Sequence, residues 1–72
     1  MENVYVVTNN DHFIMGIYRT LENAKRCALE EIEDYCDKYG CDILEKSRYM
    51  AELNELLFVD EIVYIESEML LD

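Results

Sequence analysis

Proline and tryptophan are absent from this 72-residue sequence, which contains only one histidine and two glycines. Its longest uninterrupted apolar runs are four residues, whereas a helix that spans a bilayer needs about 20. The N-terminus also lacks the basic start of a signal peptide. We therefore expect a soluble, cytoplasmic protein of one small domain, residues 1–72, whose turns are made by Asn, Asp and Ser.

Positive charge is scarce as well, because six Lys or Arg stand against 17 Asp or Glu, for a formal net charge of −11. This charge disfavours direct binding to nucleic acid or to an anionic membrane, since phosphates would be repelled. It favours a basic partner, although acidity can also serve solubility alone. The hydrophobic fraction of 51% is too high for a disordered chain and is enough to leave apolar surface for a partner or a second copy.

Two runs of β-branched and aromatic residues, 4–8 and 13–18, stand near the start of the sequence. The turn-forming cluster Asn9-Asn10-Asp11 separates them, and together they predict a β-hairpin. Both runs are apolar at nearly every position. We expect helices to cover one face of this hairpin, while the sequence does not explain what covers the other.

A helix over residues 21–39 is the clearest predicted element. Thr20 is a good N-cap, Glu22 suits the first turn, and Gly40 is a natural C-terminal stop. Apolar residues recur at steps of three and four and form one stripe, which consists of Leu21, Ala24, Ala28, Ile32, Tyr35 and Tyr39.

A second helix follows, but its start is open. Asp42 and Glu45 have the spacing of a capping box, whereas Ser47 is a rival N-cap that would limit the helix to residues 48–57. Residues 56–59 suit either the end of this helix or a further short strand. Residues 62–65, continuing through 67, predict a final strand. The expected fold is α+β in the order ββααβ, with one long and one shorter helix on one face of a small antiparallel sheet.

Groups suited to catalysis or metal binding are few. His12 lies beside the hairpin turn, and no catalytic motif surrounds Cys27, Cys36 or Cys41. We expect His12 to be exposed and the cysteines to be free, small and partly buried. The spacing of Cys36 and Cys41 approaches that of a zinc pair, but no second pair follows. Glycine-rich phosphate loops and calcium loops are also absent from the sequence, so we expect no enzyme, cofactor or metal.

Acidic residues are concentrated in two sets. The first crowds the second half of the long helix and consists of Glu30, Glu31, Glu33, Asp34 and Asp37. At 100° per residue, all of these except Glu31 share one outward face. Repulsion between like charges and the negative end of the helix dipole both oppose this placement, which favours a functional role. The second set flanks the last strand and consists of Asp60, Glu61, Glu66, Glu68 and Asp72.

We expect a partner to bind residues of both acidic sets, namely Glu30, Glu31, Glu33, Asp34, Asp37, Asp60, Glu61, Glu66 and Glu68. Tyr49 is included with them for two reasons. Tyrosines beside acids suit contact with arginine-rich surfaces, and Tyr49 is the tyrosine that we expect to be freest from packing in the core. The competing interpretation is that both acidic sets are merely solvated surface.

The N-terminal third resembles a hairpin-plus-helix unit that is common in phage and bacterial proteins. The resemblance covers about residues 4–28 and is carried by Tyr5-Val6-Val7, Gly16-Ile17-Tyr18, Thr20, Glu22 and Ala24. In its size, acidity and missing catalytic set, the chain is similar to anti-CRISPR and other phage-encoded anti-defence proteins, a class without a shared fold.

This resemblance implies a small inhibitor, encoded by a phage or mobile element, that acts in the host cytoplasm. Its target would be a basic, nucleic-acid-handling protein or nuclease, blocked by an acidic surface that imitates nucleic acid. The alternative is a structural or regulatory module that self-associates as a homodimer through its apolar sheet face, with acidity serving solubility only.

Overall fold

A computed structural model describes residues 3–60 and 62–69, which form a four-stranded antiparallel sheet and two helices. The elements in chain order are β1 (Asn3–Asn9), β2 (Ile14–Tyr18), α1 (Leu21–Tyr39), α2 (Ile43–Leu56), β3 (Phe58–Val59) and β4 (Val63–Met69). The strands lie in the order β2-β1-β4-β3. The predicted α+β class and the ββααβ order are confirmed, and the open question over residues 56–59 is answered by the two-residue strand β3.

The turn between β1 and β2 depends on Asn9. Its side-chain oxygen accepts hydrogen bonds from the backbone N–H groups of Asp11 (2.9 Å) and Phe13 (3.0 Å). The N–H of His12 donates to the Asn9 carbonyl at 3.0 Å, and His12 adopts a left-handed backbone with φ of 66°. His12 is exposed, as expected from its position beside the turn.

The core lies between the helices and one face of the sheet. On the sheet, Val7 of β1 is paired with Ile65 of β4, and Val63 is paired with Val59. The core consists of Val7, Ala24, Ala28, Ile32, Cys36, Leu53, Val59, Ile62, Val63 and Ile65. The two alanines and Ile32 confirm the centre of the apolar stripe predicted for α1.

The C-terminal end of the predicted stripe differs from expectation. Tyr39 is 64% exposed, whereas Cys36 is buried and is the last core residue of α1. At 1.5 Å per residue, the 19 residues of α1 extend about 28 Å, while a seven-residue strand extends about 23 Å. The helix is therefore longer than the strands of the sheet. Its last tyrosine, Tyr39, packs on Tyr35, with ring centroids 4.6 Å apart.

Helix ends follow the capping residues closely. The Thr20 hydroxyl accepts from the Asn23 N–H at 3.3 Å, and Gly40, with φ of 71°, ends α1 by donating its N–H to the Cys36 carbonyl. The Asp42 carboxylate accepts from the Glu45 N–H at 2.8 Å. The second helix therefore begins after Asp42, and the alternative start at Ser47 is wrong.

Candidate partner-binding surface

Four carboxylates lie on the side of α1 that points away from the sheet. We call this surface the acidic helix face; it consists of Glu30, Glu33, Asp34 and Asp37, all of which are exposed. They lie opposite the buried positions of the helix, as the 100° step per residue predicts. The face spans two helical turns, or about 10 Å along the axis.

Few cations neutralise the acidic helix face. Lys46 Nζ lies 3.9 Å from Glu33 Oε1, and both side chains are substantially exposed. Lys38 instead lies over the ring of Tyr39, with Nζ 5.5 Å from the ring centroid. Among the described residues, the one further ion pair joins Glu22 to Arg26. Exposed pairs at such distances contribute at most about 1 kcal/mol, so the face keeps its negative potential.

Glu31 lies beside this face, and its environment is different. It is half-buried and lines a shallow groove of about 360 Å³ between α1 and the hairpin turn. Burial raises the pKa of the Glu31 carboxyl, and the nearby Asp34 carboxylate raises it further. The groove is lined by Asn9, Asn10, Asp11, Glu31, Asp34, Tyr35, Lys38, Tyr39 and Ile62. Its mixture of carboxylates and tyrosine rings suits a cationic side chain better than an anion.

The second acidic set faces another direction. Asp60 lies in the turn after β3, where the Tyr64 hydroxyl donates to its carboxylate at 3.4 Å. Glu66 and Glu68 lie on β4 and are exposed on the sheet face away from the helices, because they alternate with the buried Ile65. Glu61 and Asp72 lie outside the described residues. The acidic helix face therefore lies on the opposite side of the molecule from Glu66 and Glu68.

Tyr49 is held more firmly than expected. It is half-buried against the core, and its ring meets that of Tyr35 edge-on, with centroids 6.1 Å apart and an angle of 87°. Arg48 also lies over the Tyr49 ring, at 5.4 Å from its centroid. The expectation that Tyr49 is the tyrosine freest for a partner is wrong. Tyr39 is the more exposed tyrosine. Its position in the last turn of the predicted helix is the feature of the sequence that could have indicated this exposure.

The sheet face opposite the helices has no covering element among the described residues. We call it the open sheet face; strand pairing places on it Val4, Val6, Thr8, Ile14, Ile17, Phe58, Tyr64, Glu66 and Glu68. Ile14 and Ile17 are 62% and 59% exposed. The Phe58 and Tyr64 rings are stacked at 6.1 Å. The side of the hairpin for which the sequence predicts no cover is thus part of an exposed apolar surface, on which Glu66 and Glu68 of β4 are the acidic residues.

The cysteines are free, as expected, and they contact other side chains. A hydrogen bond with the Cys36 thiol, together with burial, raises the pKa of Cys41 to about 11. A hydrogen bond with Cys27 likewise raises the pKa of Tyr18. Within residues 3–60 and 62–69, no group of three or more His, Cys, Asp or Glu is placed to hold a metal ion.

Comparison of the chain with protein-family models, with curated proteins and with solved structures finds no match. No helix in the described part of the chain is long and apolar enough to cross a membrane. The acidic helix face and the open sheet face are the two candidate surfaces for binding a partner.

Proposed function

We propose that this chain is a non-enzymatic binding protein whose acidic helix face occupies the basic, nucleic-acid-binding groove of a partner protein and blocks it. The observation that carries this proposal is the exposure of Glu30, Glu33, Asp34 and Asp37 on one side of α1. Helix stability alone favours Lys or Arg in the second half of a helix, because cations complement the negative end of the helix dipole.

The spacing of these carboxylates supports imitation of a nucleic-acid strand. From Glu30 to Asp37 the helix rises about 10.5 Å, so its four carboxylates give one charge per roughly 3.5 Å of axis. A single DNA strand carries one charge per about 3.4 Å of axis. A groove that is lined by Lys and Arg for phosphates would therefore meet a similar linear charge density on this helix.

Overall charge supports the same function. With a net charge of −11, the chain attracts a basic protein over a Debye length of about 10 Å at 0.1 M salt, and it repels nucleic acid. Binding to such a partner should be fast and should weaken as salt is added. The target class that fits is a host nuclease or another nucleic-acid-handling protein, which agrees with the anti-CRISPR-like role that the sequence resemblance implies.

Affinity capture with charge-matched variants tests this function. The chain is immobilised and incubated with nuclease-treated bacterial lysate at 0.1 M salt, and bound protein is eluted at 1 M salt. The α1-neutral variant carries Glu30→Gln, Glu33→Gln, Asp34→Asn and Asp37→Asn. The control variant carries Glu22→Gln, Glu45→Gln, Glu52→Gln and Glu55→Gln. Each variant loses four negative charges, so both have a net charge of −7, because −11 + 4 = −7.

We expect the original chain and the control variant to retain a basic nucleic-acid-binding protein, and the α1-neutral variant to lose it. Equal retention by both variants would show that overall charge, and not the acidic helix face, causes binding. That result would reject the proposed function.

The self-associating module is the second candidate function, and the exposure of Ile14, Ile17 and Phe58 favours it. A homodimer formed through the open sheet face would cover these side chains. It would also bury Glu66 and Glu68 of both copies without cations to pair with them. Because burial of unpaired carboxylates costs free energy, we rank the homodimer below the binding of a basic partner.

A further inference from the structure

The open sheet face is a continuous surface that crosses all four strands. One row runs from Ile14 through Thr8 and Tyr64 to Phe58, following the pairing of β2, β1, β4 and β3. The next row joins Ile17, Val6 and Glu66. Apolar side chains thus occupy the β2 and β1 side of the face, the stacked rings occupy the β3 end, and the glutamates lie along β4.

The size of this face suits one helix. Neighbouring strands lie about 4.8 Å apart, so four strands place the outer strands about 14 Å from each other. A helix with its side chains is about 10–12 Å wide. On the other side of the sheet, α1 already packs across β1, β2 and β4, which shows that the strands of this sheet provide a surface for helix packing.

Charge identifies the chemistry of the helix that would fit. Five of the six Lys and Arg residues lie in α1 or α2, and the sixth, Arg19, follows β2. The strands therefore contribute no cation, and neither Glu66 nor Glu68 forms an ion pair within the part of the chain that the structure describes. An occupant that carries Lys or Arg would pair with these carboxylates when water is excluded, whereas an uncharged or acidic occupant would leave them buried and unpaired.

We propose that the open sheet face is a second docking surface, which binds one amphipathic helix of a partner protein whose apolar stripe is bordered by Lys or Arg. The stripe would cover Ile14, Ile17 and the Phe58–Tyr64 stack, and the basic border would lie along Glu66 and Glu68. This surface is on the opposite side of the molecule from the acidic helix face, so it goes beyond the proposed function and can fail separately from it.

A second copy of the chain is the main rival occupant, and the charges disfavour it. Two copies packed through this face would bring together four glutamates, two from each copy, without any strand cation to pair with them. Each copy also carries a net charge of −11, which adds long-range repulsion.

A tryptophan-labelled peptide provides the test, because the chain itself has no tryptophan. The probe is an 18-residue Leu/Lys/Ala peptide with Leu at helical spacing, Lys on both borders of the stripe and one Trp in its centre. Burial of this Trp on binding shifts its emission to shorter wavelength. One control peptide replaces every Lys by Glu, and another scrambles the Leu positions while keeping the composition.

The matched protein variants are Glu66→Lys with Glu68→Lys, and the α1-neutral variant. Both have a net charge of −7, because each changes the charge by four units. We expect the Leu/Lys peptide to bind with a blue shift, the β4 reversal to weaken binding at least tenfold, and the α1-neutral variant to weaken it less than threefold. Ile17→Thr should also weaken binding, and an unchanged circular dichroism melt verifies that this variant folds.

Three outcomes would overturn the docking proposal. The first is equal weakening by the two charge variants, and the second is equal binding of the scrambled peptide. The third is a homodimer in analytical ultracentrifugation that dissociates in the Ile17→Thr variant, which would identify a second copy as the occupant. None of these outcomes would alter the result of the lysate capture, so the two proposals are tested separately.

Discussion

Glu31 differs from its acidic neighbours because α1 and the hairpin turn partly enclose it. Burial, followed by repulsion from Asp34, raises its pKa above the ordinary value of 4.5. The folded chain therefore holds this proton to higher pH than the unfolded chain does. The corresponding stability is present below about pH 4.5 and is lost as the pH rises through the raised pKa.

Replacement of Glu31 should consequently stabilise the fold at neutral pH. We expect Glu31→Gln to raise the free energy of unfolding at pH 7, with the gain disappearing below pH 4.5, where the original carboxyl is protonated. Urea unfolding at several pH values measures this difference. Glu30→Gln, at an exposed neighbouring position, removes the same charge and is the control. Equal gains for the two variants, or a Glu31→Gln gain that persists in acid, would contradict the assignment.

The role of a single residue was predictable where its side chain interacts with the neighbouring backbone. Asn9 was expected to make the turn, and its side-chain oxygen accepts two backbone N–H groups there. Tyr49 was predicted poorly, because its packing on Tyr35 depends on how α1 and α2 meet. Sequence periodicity assigns a residue to a face of its own helix, but it does not indicate which neighbouring helix covers that face.

Among the elements, α1 has the best-defined end. Gly40 has φ of 71°, and a Cβ atom at this position would have no atom within 4 Å. The cost of a larger residue is therefore backbone strain alone. We expect Gly40→Ala to destabilise the fold by about 1 kcal/mol, measured by urea unfolding. Gly40→Asn is the control, because Asn tolerates the left-handed conformation and should cost less. Alanine as stable as asparagine would contradict this account of the helix end.

The boundaries of α1 were more predictable than those of α2 and β3. The Gly40 stop of α1 could be predicted because side chain and backbone conformation are linked locally, whereas Asp42 and Ser47 were both possible N-caps of α2. The end of α2 was less clear, since it stops at Leu57 with φ of 63° and without a glycine. Strand β3 has only two residues, and its pairing with β4 is a tertiary contact that four consecutive apolar residues could not specify.

At the scale of the whole molecule, charge and apolar surface are distributed on two opposite sides. The acidic helix face could be predicted from the sequence, because a helical period fixes which carboxylates lie together. The separation of Glu66 and Glu68 from that face could not, since it depends on which side of the sheet the helices cover. These glutamates lie beside Val4 and Val6 because β4 pairs with β1, a long-range contact that the periodicity of a single strand does not specify.

The most direct test of the central claim, that the acidic helix face replaces nucleic acid in a basic groove, is a displacement titration. A fluorescently labelled nucleic acid is bound to the captured partner, and its anisotropy is followed as the chain is added. We predict complete displacement by the original chain and by the control variant, and at least tenfold weaker displacement by the α1-neutral variant. A stable ternary complex of chain, partner and nucleic acid, or equal displacement by both variants, would contradict the account.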